Sequence, residues 1–322
     1  MVKKIFIFIG FLLIIGLSAA LPGHPSVSDQ PVVTIVYVGE KGDFGFIDQA
    51  FAGLNTAEQE LDFTIREIVR NELMPDVDPV VENGTGIRAD MVVMLGDTMG
   101  GYADSVSLQY PDVPLVLIDA TPVPGPDIKS VSFSMYGPSY LAGVIAANQT
   151  KTRHIGIIAG KNAPGIRRFS NGFVDGAFSE DPNVSVNITY LAEDNSGFSK
   201  PDYAGEIAEG MYLNQTDIIF TVAGGSGLGV ISAARNLSGL RIIGVDSDQS
   251  PLGPEVVLAS VVKNIDTVVY REVIAGLNGS FTPGAEETGL RTGGSSLVIN
   301  PKFKDLSAVI GTRFDEAGER DQ

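Results

Sequence analysis

Short apolar runs alternate with amphipathic stretches along most of the chain. Runs such as Val32–Val38, Met91–Leu95 and Leu115–Ile118 are rich in β-branched residues and short enough for buried strands. Between such runs, apolar residues recur every three or four positions, as in Phe46–Leu61 and Ile265–Leu277. Buried strands that alternate with helices are typical of parallel sheets covered by helices on both faces. The pattern therefore predicts an α/β fold.

The whole chain gives ten predicted strands and seven predicted helices. The strands are Val32–Val38, Phe63–Val69, Met91–Leu95, Leu115–Ile118, Val131–Phe133, His154–Ala159, Val184–Leu191, Ile218–Val222, Arg241–Val245 and Val256–Val262. The helices are Phe46–Leu61, Tyr102–Tyr110, Tyr136–Thr150, Ile166–Phe178, Asp202–Asn214, Gly227–Asn236 and Ile265–Leu277. The charged tail, Phe314–Gln322, is predicted to fray.

Three breaks rich in proline and glycine divide this alternation, and they predict two lobes joined by a three-strand hinge. The hinge is expected near Thr121–Pro126, Asp248–Pro254 and Phe281–Gly284. The expected division is a signal peptide or anchor at 1–20, a linker at 21–30, lobe 1 at 31–121 and 249–283, lobe 2 at 122–248 and 284–316, and a tail at 317–322. A cleft between hinged lobes is a common place for a small ligand.

The first twenty residues are typical of a targeting segment. Two lysines, Lys3 and Lys4, precede the apolar run Ile5–Leu17, and small residues follow it. The run is short for a membrane span, so a cleaved signal peptide is favoured, and a retained N-terminal anchor stays open. Both interpretations predict an extracytoplasmic protein at the cell surface, either secreted or held by this segment. The chain has no cysteine, which excludes a thioether-linked lipid.

Composition narrows the function classes. The net charge is −17 with 22 Lys+Arg, which argues against nucleic acid or an anionic membrane surface as a partner. With two histidines and no cysteine, a His/Cys metal site has no support, and we expect no cofactor. Seven Asn-X-Ser/Thr sequons fit a surface-exposed glycoprotein, and a monomer is expected. The sequons are at Asn83, Asn148, Asn183, Asn187, Asn214, Asn236 and Asn278.

Seven motifs, in their order and spacing, resemble the basic membrane protein family, the purine-nucleoside-receptor-like substrate-binding proteins of ABC transporters. The motifs are Tyr140–Ala147, Thr150–Thr152, His154–Gly160, Arg168–Phe173, Ala223–Val230, Gly244–Gln249 and Ser260–Asp266. The resemblance covers about Val32 to Gly311. It implies a type I periplasmic-binding-protein fold, a nucleoside between two doubly wound lobes, and an ABC permease as partner.

Another segment, Gly42–Asp48, lies at the position of the family's opening motif and departs from the family pattern. The family usually has an aspartate and then Ser-Phe-Asn ahead of a helix, whereas this chain has Asp43, Phe46 and then Ile47. The replacement removes an amide that can donate and accept hydrogen bonds. We therefore expect looser discrimination among bases than the family pattern implies.

Charged residues at strand ends are the first candidates for ligand contacts. Asp119 and Asp246 each end an apolar strand, where ligands collect in open α/β folds. A carboxylate accepts two hydrogen bonds, which suits a pair of ribose hydroxyls, and Asp246 is the preferred candidate. Lys263 follows another strand and could donate to the ribose or to Asp246. The alternatives are turn aspartates and a weak inter-lobe ion pair.

The remaining candidates concern the base. Phe46 could stack on a base face or pack inward, and Asp43 could accept from base or sugar donors or cap the following helix. Phe169 and Phe198, the latter where the family has a loop aromatic, could sandwich the base. Glycines at Gly224 and Gly225 let backbone approach a ligand at a helix N-terminus.

The function that fits these residues is a solute-binding protein of an ABC importer that binds a nucleoside, with a purine favoured. A surface sensor uncoupled from transport is the second interpretation. An enzyme is disfavoured, because the sequence has no convincing nucleophile elbow, Ser-His-Asp order or dense aspartate cluster. The glycine run also lacks the Lys-Ser/Thr ending of a phosphate-binding loop.

Overall fold

The computed structural model describes residues 30–70, 78–82 and 88–321. The predicted signal peptide or anchor, nearly all of the predicted linker and the sequon at Asn83 lie outside these residues. Within the described part of the chain, no helix is both long enough and apolar enough to span a bilayer.

Twelve strands and ten α-helices alternate along the described chain. The strands are β1 Val32–Tyr37, β2 Thr64–Val69, β3 Met91–Leu95, β4 Leu115–Ile118, β5 Ile128–Phe133, β6 His154–Lys161, β7 Ser185–Ala192, β8 Ile218–Val222, β9 Arg241–Asp246, β10 Val257–Lys263, β11 Gly284–Thr288 and β12 Ser295–Ile299. The helices are α1 Phe46–Leu61, α2 Asp78–Val81, α3 Gly100–Gln109, α4 Tyr136–Gln149, α5 Pro164–Glu180, α6 Pro201–Leu213, α7 Gly227–Asn236, α8 Ile265–Leu277, α9 Ser307–Ile310 and α10 Phe314–Arg320.

These strands form two six-stranded sheets, which confirms the predicted two-lobed α/β fold. The first sheet has the order β11-β5-β4-β3-β1-β2 and is parallel throughout. The second has the order β12-β10-β9-β8-β6-β7 and is parallel except for β12. We call the first sheet with its helices lobe 1, and the second with its helices lobe 2. Central strands such as β1, β3 and β4 are buried along their whole length because helices cover both faces.

Small residues bring the helices close together. Gly143 of α4 lies against the carbonyl oxygen of Phe173 in α5, and Gly53 of α1 lies against the carbonyl of Asp266 in α8. A Cβ atom at either glycine would come closer to these oxygens than van der Waals contact allows. In each lobe, such a pair of closely packed helices covers one face of the sheet.

The sheets divide the chain at places that differ from the predicted boundaries. The expected division put residues 128–133 in lobe 2 and 257–263 in lobe 1, but β5 lies in the first sheet and β10 in the second. The chain crosses between lobes directly after β5, directly after β10, and between β11 and β12. The proline-rich breaks instead connect elements within a lobe, since proline and glycine mark turns whatever those turns join.

The three crossings lie side by side. The backbone N–H of Asn264 donates to the carbonyl of Gly294 at 2.9 Å, and Ser295 Oγ donates to the carbonyl of Ser134 at 2.9 Å. These bonds connect the second and third crossings, and the first and third. They hold the three crossings of the hinge together.

The C-terminal tail is helical, so the prediction of fraying was wrong. Residues Phe314–Arg320 form α10, and Asp321 behind it is 9% exposed. The Asp321 carboxylate accepts hydrogen bonds from Ser134 Oγ at 2.7 Å, the Gly137 N–H at 2.7 Å and the Leu290 N–H at 2.6 Å. Ser134 and Leu290 belong to two of the crossings, so these bonds fix the tail to the hinge.

Candidate functional site

The carboxyl ends of four strands carry the polar residues of the site. Asp119 directly follows β4 in the first sheet, and Phe133 ends the neighbouring β5. Asp246 ends β9 and Lys263 ends the neighbouring β10 in the second sheet. Because a Lys263–Asp119 ion pair joins the two sheets, their carboxyl ends face each other across one cleft.

Lys263 is the central cation of this cleft. Its Nζ atom lies 2.7 Å from Oδ2 of Asp119, with the Lys263 side chain 7% and the Asp119 side chain 28% exposed. Burial opposes the charged ammonium, but the negative charges of Asp119 and Asp246 and the hydrogen bond to Asp119 raise the pKa of Lys263 above its usual value. The lysine is therefore charged at neutral pH and holds two carboxylates near one point.

Asp246 is a strained and electrostatically perturbed carboxylate. Its φ of 68° and that of Asp119, 57°, lie in the left-handed region, which costs energy for a residue with a Cβ atom. Burial raises the pKa of Asp246 to about 6, and the charges of Asp43 and Asp119 add to this, while Lys263 opposes it. Perturbed groups of this kind concentrate at functional sites.

Three phenylalanine rings surround the ammonium group. The Nζ atom of Lys263 lies 5.6 Å from the ring centroid of Phe46, 5.8 Å from that of Phe133 and 5.4 Å from that of Phe169. These distances are within cation–π range. Phe46 is partly buried at the start of α1, whereas Phe169 is 3% exposed and packs 6.4 Å from the ring of Phe220 in the core.

The loop before α1 fixes Asp43. Its carboxylate accepts from the backbone N–H groups of Gly45 at 3.0 Å, Ile47 at 3.0 Å and Asp48 at 3.3 Å. Asp43 therefore satisfies donors at the helix N-terminus, the structural alternative that its sequence context offered. Its charge also acts on Asp246, so it belongs to the same electrostatic site.

Two contacts across the cleft have no clear signal in the sequence. The side-chain amide of Gln49 in α1 donates to the carbonyl oxygens of Asp246 at 2.8 Å and Lys263 at 3.3 Å. The hydroxyl of Ser247 donates to the carbonyl oxygen of Phe44. All three bonds join the start of α1 in lobe 1 to strand ends of lobe 2. They depend on how the two lobes meet, which no local pattern encodes.

Phe133 was also missed, although the sequence held a signal for it. It is the last residue of a predicted strand, the position that drew attention to Asp119 and Lys263. An aromatic residue at a strand end does not stand out as a ligand contact, because apolar strand residues usually belong to the core. In the structure it is 4% exposed and its ring is near Nζ of Lys263.

Phe198, Gly224 and Gly225 form a second group at the carboxyl edge of the second sheet. The Phe198 ring packs against Gly160, where a Cβ atom would overlap it. Gly224 has a φ of 51°, and a Cβ atom there would lie 3.5 Å from Cβ of Phe198. Phe198 thus packs on this glycine group, while Phe169 packs on Phe220. The two phenylalanines have different neighbours.

Ile47 contributes to the core. It is 5% exposed and belongs to the apolar cluster that includes Tyr37 and Ala50. Where the family pattern has an asparagine, this chain thus places an apolar side chain inside lobe 1. Among the residues that the structure describes, no group of histidine and carboxylate side chains could hold a metal ion.

Two doubly wound lobes with a charged and aromatic cleft between them define the class of protein. This is the two-lobed, type I periplasmic-binding-protein architecture, which takes a small ligand between its lobes. A solved solute-binding protein of an ABC transporter system from Aeropyrum pernix K1 has the same fold, with a TM-score of 0.75. It is 23% identical over 88% of this chain and 80% of its own.

Sequence comparison gives the family. Residues 30–308 match the family described as Bmp, ABC transporter substrate-binding protein PnrA-like, and the chain belongs to this family. Basic membrane protein D of Borreliella burgdorferi (strain JD1) is 29% identical over 314 residues, 96% of this chain and 87% of the relative. The CD4+ T-cell-stimulating antigen of Listeria monocytogenes is 30% identical over 280 residues, 81% of this chain and 77% of the relative. The family confirms the resemblance and makes this chain an ABC transporter substrate-binding protein.

Proposed function

We propose that the protein binds a nucleoside in the cleft between its lobes and delivers it to an ABC importer outside the cytoplasm. The Lys263–Asp119 ion pair carries the proposal, because it places a cation and carboxylates from both sheets at one point beside aromatic rings. A nucleoside has hydroxyl donors on its ribose and a flat apolar base. Charged groups beside aromatic rings can bind both parts.

The ribose is assigned to the charged residues. Asp246 and Asp119 offer carboxylate oxygens to the 2′- and 3′-hydroxyls, and Lys263 donates to a hydroxyl oxygen. Hydrogen bonds to charged groups contribute about 1.5–3 kcal/mol each. Together with stacking of about 0.5–1.5 kcal/mol, two such bonds would give about 3.5–7.5 kcal/mol, which corresponds to dissociation constants from about millimolar to low micromolar.

The base is assigned to the aromatic residues. Phe46 is the best stacking surface because it is partly buried and lies on the cleft side of α1, next to Lys263. Asp43, Phe169, Phe198, Gly224 and Gly225 remain further candidates for base contacts. Phe169 supports the site from the core, and the backbone of Gly224 and Gly225 can approach a ligand because neither has a side chain.

The contacts across the cleft explain how a ligand would be retained. Gln49 and Ser247 donate to backbone carbonyl groups of the opposite lobe. These bonds would stabilise a closed arrangement of the lobes. A ligand that bridges Asp119 and Asp246 adds to the same closure. A closed lobe pair is the form that a permease of the importer would recognise.

Calorimetric titration tests the assignment. The protein is unfolded and refolded to remove bound ligand, then titrated with inosine, guanosine, adenosine and uridine, and with the free bases and ribose as controls. Binding of nucleosides well below millimolar, with weaker binding of bases and ribose, supports the proposal. If no nucleoside binds below about millimolar, the nucleoside assignment is wrong. Native mass spectrometry of freshly purified protein provides a second readout, as a retained nucleoside adds a defined mass.

A further inference from the structure

Sequons are concentrated in this chain beyond what composition explains. Seven of its 14 asparagines begin Asn-X-Ser/Thr, although 40 of the 322 residues are serine or threonine. Random placement would therefore give about two sequons among these asparagines. The excess indicates that the sequons themselves have a function. Six of the seven asparagines lie in the part of the chain that the structure describes.

All six of these asparagines are exposed, and they lie far from the cleft in the fold. Asn148 and Asn236 lie in the last turns of α4 and α7, and Asn214 and Asn278 directly follow α6 and α8. Asn183 precedes β7, and Asn187 is its third residue. In a parallel α/β sheet, helices end and strands begin at the edge opposite the strand carboxyl ends. Five of the six therefore lie at the outer pole of lobe 2, and Asn278 lies at that of lobe 1.

Hydrogen bonds show that these segments share one edge. The backbone N–H of Ser185 donates to the carbonyl of Arg153 at 2.7 Å, and that of Asp217 to His154 at 3.1 Å. The N–H of Arg241 in turn donates to the carbonyl of Asp217 at 2.9 Å. The starts of β6, β7, β8 and β9 are thus joined in one layer, directly beside the sequons. We call this layer the lobe 2 pole.

Asparagines at the opposite edge provide the contrast. Asn162, Asn195 and Asn264 follow the carboxyl ends of β6, β7 and β10 on the cleft side, and none of the three begins a sequon. At the outer edge, Asn300 also lacks a sequon, but it is 3% exposed and its amide donates to the carbonyls of Pro254 and Val257. Two further exposed asparagines, Asn55 and Asn171, lie inside α1 and α5 and begin no sequon. Every sequon in the described residues thus lies at an outer pole, and none lies at the cleft edge.

The lobe 2 pole also has an edge strand and exposed apolar side chains, which a bulky hydrophilic group would shield from association with other chains. The edge strand β7 has one unpaired side, and edge strands are prone to pair with other chains. Next to it, a groove of about 370 Å³ is lined by both Asn187 and Asn214. Leu213, 81% exposed, and Ile188, 36% exposed, adjoin these two asparagines in sequence. Glycans at Asn187 and Asn214 would cover the edge strand, the groove and the apolar side chains together.

We propose that the lobe 2 pole is N-glycosylated, at Asn187 and Asn214 in particular, while the cleft edge carries no glycan. The donor is an oligosaccharide linked to a polyprenyl phosphate. The asparagine amide nitrogen forms a bond to the anomeric carbon, the bond from that carbon to the phosphate oxygen breaks, and the amide loses one proton. This arrangement keeps bulky groups off both the ligand site and the cleft-side face. It requires export of the chain but is independent of the nucleoside assignment.

Peptide mapping by mass spectrometry of the protein from its native cells tests the proposal. Peptides that contain Asn187 and Asn214 are expected to carry added hexose-type masses, and peptides with Asn162, Asn195 and Asn264 are expected at their unmodified masses. The same protein made in a bacterium without N-glycosylation provides the reference masses. If the Asn187 and Asn214 peptides from native cells occur solely at unmodified masses, or if the cleft-edge peptides carry glycan, the proposal is wrong.

A pair of conservative variants expressed in the native host separates sequon-dependent glycosylation from other modifications. Thr189→Ala removes the sequon of Asn187, and Thr189→Ser preserves it with nearly the same loss of volume. The added mass at Asn187 is expected to disappear in the first variant and remain in the second. Persistence of that mass in Thr189→Ala would contradict attachment through the sequon. Nucleoside titration of the unglycosylated protein is expected to match that of the native protein, whatever the outcome for the glycans.

Discussion

Nζ of Lys263, at the end of β10 in lobe 2, lies 2.7 Å from Oδ2 of Asp119, which follows β4 in lobe 1. The two residues are 144 positions apart in the chain, and each lies at the carboxyl end of an apolar strand, one in each sheet. Their ion pair is mostly buried and has Asp246 as a second carboxylate beside it. One lysine thus links the two lobes at the point where the proposed ligand binds.

Replacing Lys263 by methionine should weaken nucleoside binding by about tenfold to a hundredfold. The variant loses a charge-assisted hydrogen bond and leaves Asp119 and Asp246 to repel each other. Calorimetry measures the affinity. Lys302→Met is a matched control, since Lys302 pairs with Glu255 on the surface away from the cleft. Equal affinity in wild type and Lys263→Met would exclude Lys263 from the site.

Nucleoside affinity should depend on pH through Asp246. The ribose hydroxyls donate to the ionised carboxylate, and the pKa of Asp246 in the unliganded protein is raised to about 6 by burial. Affinity should therefore be constant above about pH 7 and fall by up to about tenfold per unit below about pH 6. Calorimetry at several pH values measures this, and binding near pH 6 should release a proton. Asp246→Asn should bind more weakly, with a flatter profile. An unchanged profile would exclude Asp246.

Asp246 should make the unliganded protein less stable as the pH rises. The pKa of its carboxyl is higher in the folded protein, about 6, than in the unfolded chain, 3.8. The folded state therefore binds more protons between these values, so the contribution of this group is fully present below about pH 4 and lost as the pH rises through 6. At pH 7.5, Asp246→Asn should raise the free energy of unfolding by on the order of 2 kcal/mol. Urea denaturation at pH 4 and 7.5 checks the sign, and a less stable variant at pH 7.5 would contradict it.

Two phenylalanines beside Lys263 should respond differently to substitution. Phe46→Leu should lower nucleoside affinity several-fold with little change in melting temperature, because the ring is partly buried and its stacking contributes about 0.5–1.5 kcal/mol. Phe169→Ala should lower the free energy of unfolding by about 3–5 kcal/mol, because it opens a cavity against Phe220. Calorimetry and thermal denaturation on both variants separate the two roles. Equal losses of stability would contradict the assignment of Phe46 to the ligand.

The tail should stabilise the hinge through Asp321. Asp321→Ala removes the acceptor of three hydrogen bonds and leaves buried N–H groups of Gly137 and Leu290 without it. The free energy of unfolding should fall by about 2–4 kcal/mol. Asp315→Ala in α10, the helix that precedes Asp321, is the control, because Asp315 is exposed. Equal stability of the two variants in urea denaturation would show that the tail does not hold the hinge.

The fold was largely predictable from the sequence because its strands are apolar and its helices periodic. The predicted bounds of α1, α7 and α8 match the structure, since each helix has an apolar stripe and clear ends. The strands β11 and β12 were missed. β11 is a polar edge strand with two glutamates, and β12 is a short antiparallel strand after a glycine pair, so neither has the apolar pattern of a buried parallel strand.

The part of the candidate site that could be predicted is the part that lies at strand ends, because an apolar strand followed by a charged residue can be recognised from the local sequence. Asp119, Asp246 and Lys263 were chosen as charged residues after apolar strands, and the structure brings all three together. Gln49 and Ser247 were not found, because their partners are backbone carbonyl groups of the opposite lobe. Such contacts depend on sheet assignment and lobe closure. The misplaced hinge has the same origin, since proline and glycine show where the chain turns but not which sheet it enters next.

The most direct test of the central claim is calorimetric titration with a matched pair of ligands, guanosine and 2′,3′-dideoxyguanosine, against wild type and Asp246→Asn. If carboxylates of the cleft bind the ribose diol, wild type should prefer guanosine by at least about tenfold, and the preference should shrink toward unity in the variant. Equal binding of both ligands by wild type, the same preference in both proteins, or no binding of guanosine below about millimolar would contradict the account.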